Sequence, residues 1–336
     1  MVDASAPLPP DLKQFLVDPK LLFEYAVWDL RQRLQHPLPN ILWHYTSGPG
    51  LIGIVETATL WATQVSCLND QSEIMHAAGL LREQFDRRLQ ENLDDEADRY
   101  FFARAIESLT PNLSLTSDLY IASFSEKEDN LGQWRAYGGG EGGYVVGFNP
   151  QGIQFGLETG HFVLPVVYDR ETQRQIMSDL AGEAHRLYRE GMEYSGADPH
   201  DYIVNTVMPQ IRESLSWIGP FFKHEAFEAE REWRVAWRFT AGEESKLKFR
   251  QAKNLLARYL PLDFQRVGSV RSDKLPIVSV GVGPCRFPGV SINSVEALMK
   301  SKEYPVETTW LARLQTDGFP MDRVSIWDSR IPYQSP

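Results

Sequence analysis

The sequence contains few cysteines and no long apolar run, and both absences narrow the class of protein. Its 336 residues include only Cys67 and Cys285, too few for a disulfide framework. No segment approaches the roughly twenty apolar residues that a membrane-spanning helix needs. The first residues also lack the basic start and apolar stretch of a secretory signal. These absences predict a cytoplasmic protein that does not enter a membrane.

Positive charge is also scarce in this sequence. The chain has 34 Lys and Arg residues against 45 Asp and Glu residues, which gives a formal net charge of -11. Because phosphate contacts need basic patches, we expect no stable binding to nucleic acid. The hydrophobic fraction of 43% and the aromatic fraction of 12% are high enough for a sizeable core and exclude global disorder.

Common site motifs are missing or stand in the wrong context. Gly138, Gly140 and Gly143 match the spacing G-x-G-x-x-G, but here a predicted helix comes first and a strand follows, the reverse of a dinucleotide-binding turn. The histidines and cysteines show no metal-binding spacing. A Ser-His-Asp hydrolase stays open on spacing, although no Gly-x-Ser-x-Gly elbow occurs. The sequence therefore contains no metal-site or nucleophile signature for a third hypothesis, a hydrolase or nuclease of unrelated mechanism.

The hydrophobic pattern alternates between helical and strand periods without repeats or long linkers. It predicts an N-terminal arm and helix over 1–39, with the helix itself at 19–35. A single α+β domain is predicted over 40–336, with a helical insertion at about 171–216. The strands that would form its bent sheet, flanked by helices, are expected at 41–46, 119–125, 144–149 and 232–239.

The segment 230–239 is the most informative part of the chain. Trp233, Val235, Trp237 and Phe239 alternate with charged residues, so one strand face is apolar and the other charged. The charged residues are Glu230, Glu232, Arg234 and Arg238. Two interpretations stay open: a solvated face with ion pairs, or carboxylates and guanidinium groups that converge on one small volume.

A second predicted strand carries a matching polar set. His44 and Thr46 are two residues apart, so they point to the same side of the strand that ends before the turn signal at 47–50. A histidine beside a tryptophan is commonly structural. A histidine with a hydroxyl two residues away also suits a polyhydroxylated ligand, and the sequence leaves both interpretations open.

Motifs spread over 42–333 resemble the bacterial family catalogued as domain of unknown function 2971. That resemblance implies no settled activity, so the chemistry has to be argued from the residues. The matching segments are 43–46, 60–63, 68–70 with Glu73, 123–125, 129–130 with Trp134 and Tyr137, 147–148, Lys223, Phe227, 230–234, 281–284 and 329–333.

Three segments are also similar, in the same chain order, to motifs of ADP-ribosyltransferases. The segment 44–46 resembles the first motif, in which His-Gly-Thr or His-Gly-Ser grips the NAD ribose, and here Tyr45 replaces the glycine. The strand at 119–125 is similar to a Ser-Thr-Ser strand, and Glu230-x-Glu232 is similar to the Glu-x-Glu element. The motifs combine the His-led and the Ser-led branches of that superfamily.

This second resemblance implies a split sheet of the ADP-ribosyltransferase type and NAD as the substrate, with no metal. Cleavage of the nicotinamide–ribose bond passes through an oxocarbenium-like centre, which a facing carboxylate stabilises. Glu232 is the first candidate for that carboxylate. Glu230 would orient or deprotonate the acceptor.

The resemblance also implies roles in NAD binding. His44 and Thr46 would hold the adenosine-side ribose, and Ser123 with Ser125 would brace the catalytic carboxylate. Trp134 or Tyr137 would stack on nicotinamide or adenine, although ordinary core packing explains both as well. The residues implied to bind NAD are His44, Tyr45, Thr46, Ser123, Ser125, Trp134, Tyr137 and Arg234.

Two classes of function follow from the sequence. One is an NAD-consuming enzyme that transfers ADP-ribose to a macromolecular acceptor or to water, as expected of a toxin or phage-defence effector. The other is a non-catalytic nucleotide sensor on the same fold. Two carboxylates, Glu230 and Glu232, together with His44 favour catalysis over sensing.

Overall fold

The structure is a computed structural model, and the Pro-rich arm, the motif at 68–70 and Gly140 lie outside the residues it describes. The described residues are 20–67, 72–109, 118–138, 142–157, 162–239, 242, 244–252, 255–264, 266–267, 270–271, 273–308 and 323–333.

Helices occupy much of the described chain, and no helix of these residues is long and apolar enough to cross a membrane. The α-helices are α1 Lys20–Arg33, α2 Gly48–Thr57, α3 Ser72–Glu91, α4 Glu96–Ser108, α5 Leu131–Tyr137, α6 Pro150–Gly156, α7 Arg170–Ser195, α8 Pro199–Tyr202, α9 Met208–Ile218 and α10 Pro288–Ser301. A π-helical turn, Ile203–Val207, joins α8 to α9, and 3-10 turns are found at Val65–Cys67, Gly219–Phe221, Glu225–Glu230 and Glu244–Lys246.

The strands form an 11-stranded mixed sheet and a separate two-stranded pair, β9 with β10. The strands are β1 Leu42–Thr46, β2 Leu60–Gln64, β3 Leu119–Ser125, β4 Tyr144–Phe148, β5 Phe162–Pro165, β6 Glu232–Arg238, β7 Lys248–Ala252, β8 Leu255–Leu262, β9 Arg266–Val267, β10 Val270–Arg271, β11 Ile277–Val282, β12 Val306–Thr308 and β13 Val324–Asp328. The sheet order is β12-β13-β11-β4-β1-β3-β2-β8-β7, with β6 on β3 and β5 on β6.

The chain divides into two compact units. A helical unit comprises Met1–Gln35, Asn69–Ser117 and Val167–Glu225, and a sheet unit comprises His36–Leu68, Asp118–Val166 and Ala226–Pro336. In the sheet unit, α2, α5, α6 and α10 contact the strands. The protein is therefore a mixed α+β structure with a large open sheet flanked by helices. The domain boundaries expected from the sequence stay a prediction.

The edge of β3 opposite β6 is shared by two strands. β6 pairs with β3 along its whole length and occupies one edge. On the other edge, β1 pairs only through Trp43 and Ser125, and β2 pairs only at Tyr120 and Ile121. Between these two contacts the edge of β3 has no strand partner among the described residues. This gap positions the candidate site.

The strands predicted near 41–46, 119–125, 144–149 and 232–239 are confirmed as members of one sheet. Only the pairs β11–β13 and β12–β13 are parallel among the described pairs, so the sheet is not doubly wound. The predicted first helix is confirmed as Lys20–Arg33. The helical pattern after 171 is also confirmed, and α7 ends at Gly196, whose φ of 60° is the left-handed conformation that glycine adopts readily.

Candidate functional site

Glu232 and Arg234 form a buried ion pair at the start of β6. The guanidinium Nε donates to Oε1 of Glu232 at 2.8 Å, and Nη2 donates to Oε2 at 3.0 Å. The exposed fractions are 8% for Glu232 and 4% for Arg234. The opposite strand face, with Trp233 and Val235, belongs to the hydrophobic core. The solvated charged face is therefore excluded at these two positions, and the charges meet in a small buried volume.

Glu230 lies just outside this strand, contrary to the simple alternation expected from the sequence. The strand begins at Glu232, and Glu230 is the last residue of a 3-10 turn. Arg231 between them has φ of 46°. A non-glycine residue in this region is strained by about 1–2 kcal/mol, and such strain is often found at functional sites. The turn sets the position of Glu230 independently of the strand pleat.

The ring of His44 lies at the gap on the edge of β3 and contacts Ser123 there. Its Nδ1 lies 2.9 Å from the carbonyl oxygen of Ser123. Because a carbonyl only accepts, Nδ1 must carry the proton and Nε2 is the acceptor nitrogen of the neutral ring. Burial lowers the pKa of His44, and the positive charge of Arg250 lowers it further, while the bond to Ser123 opposes the shift. The neutral ring is therefore the stable form at pH 7.

The lowered pKa of His44 predicts a pH-dependent stability. The unfolded chain binds this proton with a pKa of about 6.5, above that of the folded protein, so the unfolded state binds more protons at mildly acid pH. The contribution of neutral His44 to the free energy of unfolding is fully retained above pH 6.5. It is lost as the pH falls through the lowered pKa of the folded protein. Thermal melts at neutral and acid pH should show a smaller acid loss for His44→Gln than for wild type, and an unchanged loss for the exposed control His36→Gln. An equal loss in His44→Gln contradicts this assignment.

Ser125 and Tyr45 hold the backbone around the carboxylates. The Ser125 hydroxyl donates to the carbonyl of Glu230 at 2.6 Å and accepts from the amide of Lys127 at 3.1 Å. The Tyr45 hydroxyl donates to the carbonyl of Lys127 at 2.7 Å and accepts from the amide of Asn130 at 3.0 Å. Burial raises the pKa of Tyr45, so it stays protonated. Ser125 thus supports the backbone of Glu230, whereas bracing of the Glu232 side chain stays a prediction.

One cavity of about 60 Å³ brings most of these side chains together, and we call it the carboxylate cavity. It joins residues up to about 190 positions apart, as expected if 44, 123–125 and 230–232 serve one site. It has room for about two water molecules at roughly 30 Å³ each. Its lining residues are Trp43, His44, Tyr45, Ser123, Phe124, Ser125, Gln133, Tyr137, Glu230 and Glu232.

Three of the residues implied to bind NAD do not line the carboxylate cavity. Thr46 faces the first turn of α2, since a Cβ on Gly50 would lie 2.0 Å from its hydroxyl oxygen. Trp134 is buried, packs edge-on against Tyr45 and donates from Nε1 to Asp129, which matches core packing. Arg234 is not among the lining residues, although it hydrogen-bonds Glu232, which lines the cavity. Tyr137, in contrast, lines the cavity and is 50% exposed.

Gln133 lines the cavity and is only 8% exposed, but it is not among the site residues predicted from the sequence. A signal for it exists, because Gln133 precedes Tyr137 by four residues and therefore shares a helix face with it. An arrangement of two carboxylates, a neutral imidazole and a buried amide suits a polar ligand with hydroxyl and amide groups.

Comparison with known families gives one match. Residues 133–235 match the sequence model of the family described as "Protein of unknown function (DUF2971)". The match includes Gln133, Tyr137, Glu230 and Glu232, and it supports the resemblance to that family. No curated protein and no solved structure matches the chain.

Proposed function

We propose that the protein is an NAD-consuming enzyme that cleaves the nicotinamide–ribose bond and passes ADP-ribose to a macromolecular acceptor or to water. The observation that carries this proposal is the shared cavity of His44, Ser123, Ser125, Glu230 and Glu232. These residues come from the three segments that resemble ADP-ribosyltransferase motifs. A role as a toxin or phage-defence effector belongs to the same proposal.

The proposed chemistry requires negative charge beside the ribose. As nicotinamide leaves, positive charge develops at the ribose carbon and ring oxygen, and a fixed carboxylate stabilises it electrostatically. Glu232 is held rigidly by two hydrogen bonds from Arg234. Glu230 is less buried than Glu232 and suits the role of orienting the acceptor or removing its proton.

His44 has the acceptor needed for a ribose hydroxyl. The Nδ1–H group donates to the carbonyl oxygen of Ser123, so the unprotonated Nε2 can accept a hydrogen bond from a ribose hydroxyl. The shared edge of β3 also supports the proposed ADP-ribosyltransferase-like arrangement, because it opens a gap in the sheet beside this ring.

The size of the carboxylate cavity limits which part of NAD it holds. Pockets for whole small molecules are about 300–1,000 Å³, far above the 60 Å³ found here. We therefore place only the scissile end of NAD, nicotinamide with its ribose, at the cavity mouth. The diphosphate and adenosine would lie outside it. His44 lines this cavity, so in this proposal it holds the nicotinamide-side ribose and not the adenosine-side ribose that the resemblance implies.

One observation favours the second candidate function, a sensor that binds a nucleotide without cleaving it. Both carboxylate oxygens of Glu232 already accept hydrogen bonds from Arg234, which reduces the charge available to a ribose. Because NAD would bind only the folded state of such a sensor, it would stabilise the sensor against unfolding. The sensor would release no nicotinamide.

His44→Ala should weaken NAD binding about tenfold, since a lost hydrogen bond in a buried site is equivalent to about 1–3 kcal/mol. Isothermal titration calorimetry with NAD measures this change. His36→Ala, an exposed histidine of the same unit, is the matched control and should bind NAD as wild type does. Equal affinity in both variants removes His44 from the site.

The function itself is tested with NAD that carries separate labels on nicotinamide and on the adenylate. Release of the nicotinamide label by purified protein supports the enzyme. The adenylate label then separates transfer from hydrolysis, because it stays on protein or nucleic acid in the first case and appears as free ADP-ribose in the second. Binding of both labels without release supports the sensor.

A further inference from the structure

Gln133 places a buried amide in the wall of the carboxylate cavity. The side chain is 8% exposed and lines the cavity. Across the described part of the chain, no hydrogen bond to its side-chain amide is found. Buried side-chain amides are nearly always paired with protein or water. The amide of Gln133 is therefore available to a partner in the cavity that it lines.

The pattern around Gln133 explains why its amide is available. Asn130 caps α5, and its side chain accepts from the amides of Gly132 and Gln133. A glutamine three residues after such a cap normally completes a capping box by bonding the backbone amide of the cap residue. Here the amide of Asn130 donates to the Tyr45 hydroxyl instead. The Tyr45 hydroxyl thus accepts the hydrogen bond that the Gln133 side chain would accept in a capping box. The side-chain amide of Gln133 is left available to other partners.

Tyr137 adds a ring on the same helix face. It follows Gln133 by four residues, which places the two side chains one turn apart. Both line the carboxylate cavity. A primary amide next to an accessible aromatic ring matches a flat heteroaromatic ligand that carries an amide-like edge, because the ring stacks while the amide donates and accepts one hydrogen bond each.

We propose that Gln133 recognises the carboxamide of nicotinamide, beside the Tyr137 ring that the resemblance already implies to stack on nicotinamide or adenine. This inference rests on the proposed function. Adenine also offers a donor next to an acceptor, but it is separated from the scissile bond by two riboses and a diphosphate. Because Glu230 and Glu232 line the same small cavity, the ring held there must be the one bonded to the reacting ribose carbon. Gln133 is thus a specificity-determining residue.

The test compares NAD with 3-acetylpyridine adenine dinucleotide, in which a methyl ketone replaces the carboxamide and removes the N–H donor. The quantity measured is kcat/KM for NAD divided by kcat/KM for 3-acetylpyridine adenine dinucleotide. Gln133→Met should lower this ratio about tenfold or more relative to wild type, the effect of one lost buried hydrogen bond. Comparing variant with wild type cancels the intrinsic reactivity of each leaving group. Gln64→Met, a buried glutamine of the same unit outside the cavity, should leave the ratio unchanged.

Each further outcome decides the proposal. An unchanged ratio in Gln133→Met overturns it. If the variant instead loses discrimination against nicotinamide hypoxanthine dinucleotide, in which the adenine amino group is replaced, Gln133 binds adenine and the proposal is also overturned.

A binding measurement on wild type separates this inference from the proposed function. Free nicotinamide is titrated while the side-chain amide signal of Gln133 is followed by NMR, which needs neither turnover nor a folded variant. A saturable shift of that signal supports the inference even if wild type releases no nicotinamide from NAD, a result that defeats only the proposed function. Absence of any shift overturns the inference.

Discussion

Replacing Glu232 with glutamine should lower nicotinamide release from NAD at least about a hundredfold, the typical loss when one preorganised electrostatic contact to a transition state is removed. Glutamine keeps the size of the side chain but removes the negative charge that, in the proposed reaction, would face the oxocarbenium-like centre. The rate of nicotinamide release at saturating NAD measures the effect. Glu230→Gln should also reduce the rate. If Glu232→Gln stays active, Glu230 takes the role of the stabilising carboxylate.

A second effect of Glu232→Gln has to be separated from chemistry. The substitution leaves the guanidinium of Arg234 buried without a matching charge at Oε1 and Oε2. Loss of activity alone therefore does not distinguish a missing catalytic charge from a destabilised strand. A variant that removes both charges supplies the distinction.

Arg234→Met should lower the free energy of unfolding by about 3–5 kcal/mol, because it removes the guanidinium that donates two hydrogen bonds to the buried carboxylate of Glu232. Urea denaturation followed by tryptophan fluorescence measures this change. The double variant Glu232→Gln/Arg234→Met should recover much of the lost stability, since it leaves neither charge of the pair in the buried site without the other.

The double variant connects the two predictions. If Glu232 is catalytic, Glu232→Gln/Arg234→Met folds with nearly normal stability and still releases no nicotinamide. If the pair is only structural, activity returns together with stability. A double variant that is as unstable as Arg234→Met alone contradicts the account of the ion pair.

Much of the fold was predictable because local patterns and tertiary packing agree. The strand that starts at Glu232 was visible from its alternating apolar face. β8 has no comparable signal, because Pro261 interrupts its pattern. α10 has none either, because its cap position, Phe287, makes no side-chain capping bond.

The site was predictable only in part. The carboxylates and His44 could be found from motif order, whereas their meeting in one cavity depends on β3 sharing its edge between β1 and β2, a long-range pairing that no local pattern contains. Gln133 belongs to none of the motifs found in the sequence, and the spacing Asn130-x-x-Gln133 is that of an ordinary capping box. Only the contact from the distant Tyr45 hydroxyl releases the amide.

Cleavage of the nicotinamide–ribose bond at the carboxylate cavity is the activity proposed for this protein. It is tested by the rate of nicotinamide release from purified wild type and from Glu232→Gln/Arg234→Met, at equal folded concentration and saturating NAD. We expect steady release by wild type and a rate at least about a hundredfold lower for the folded double variant. Equal rates in the two proteins, or no release by a wild type that binds NAD, would contradict it.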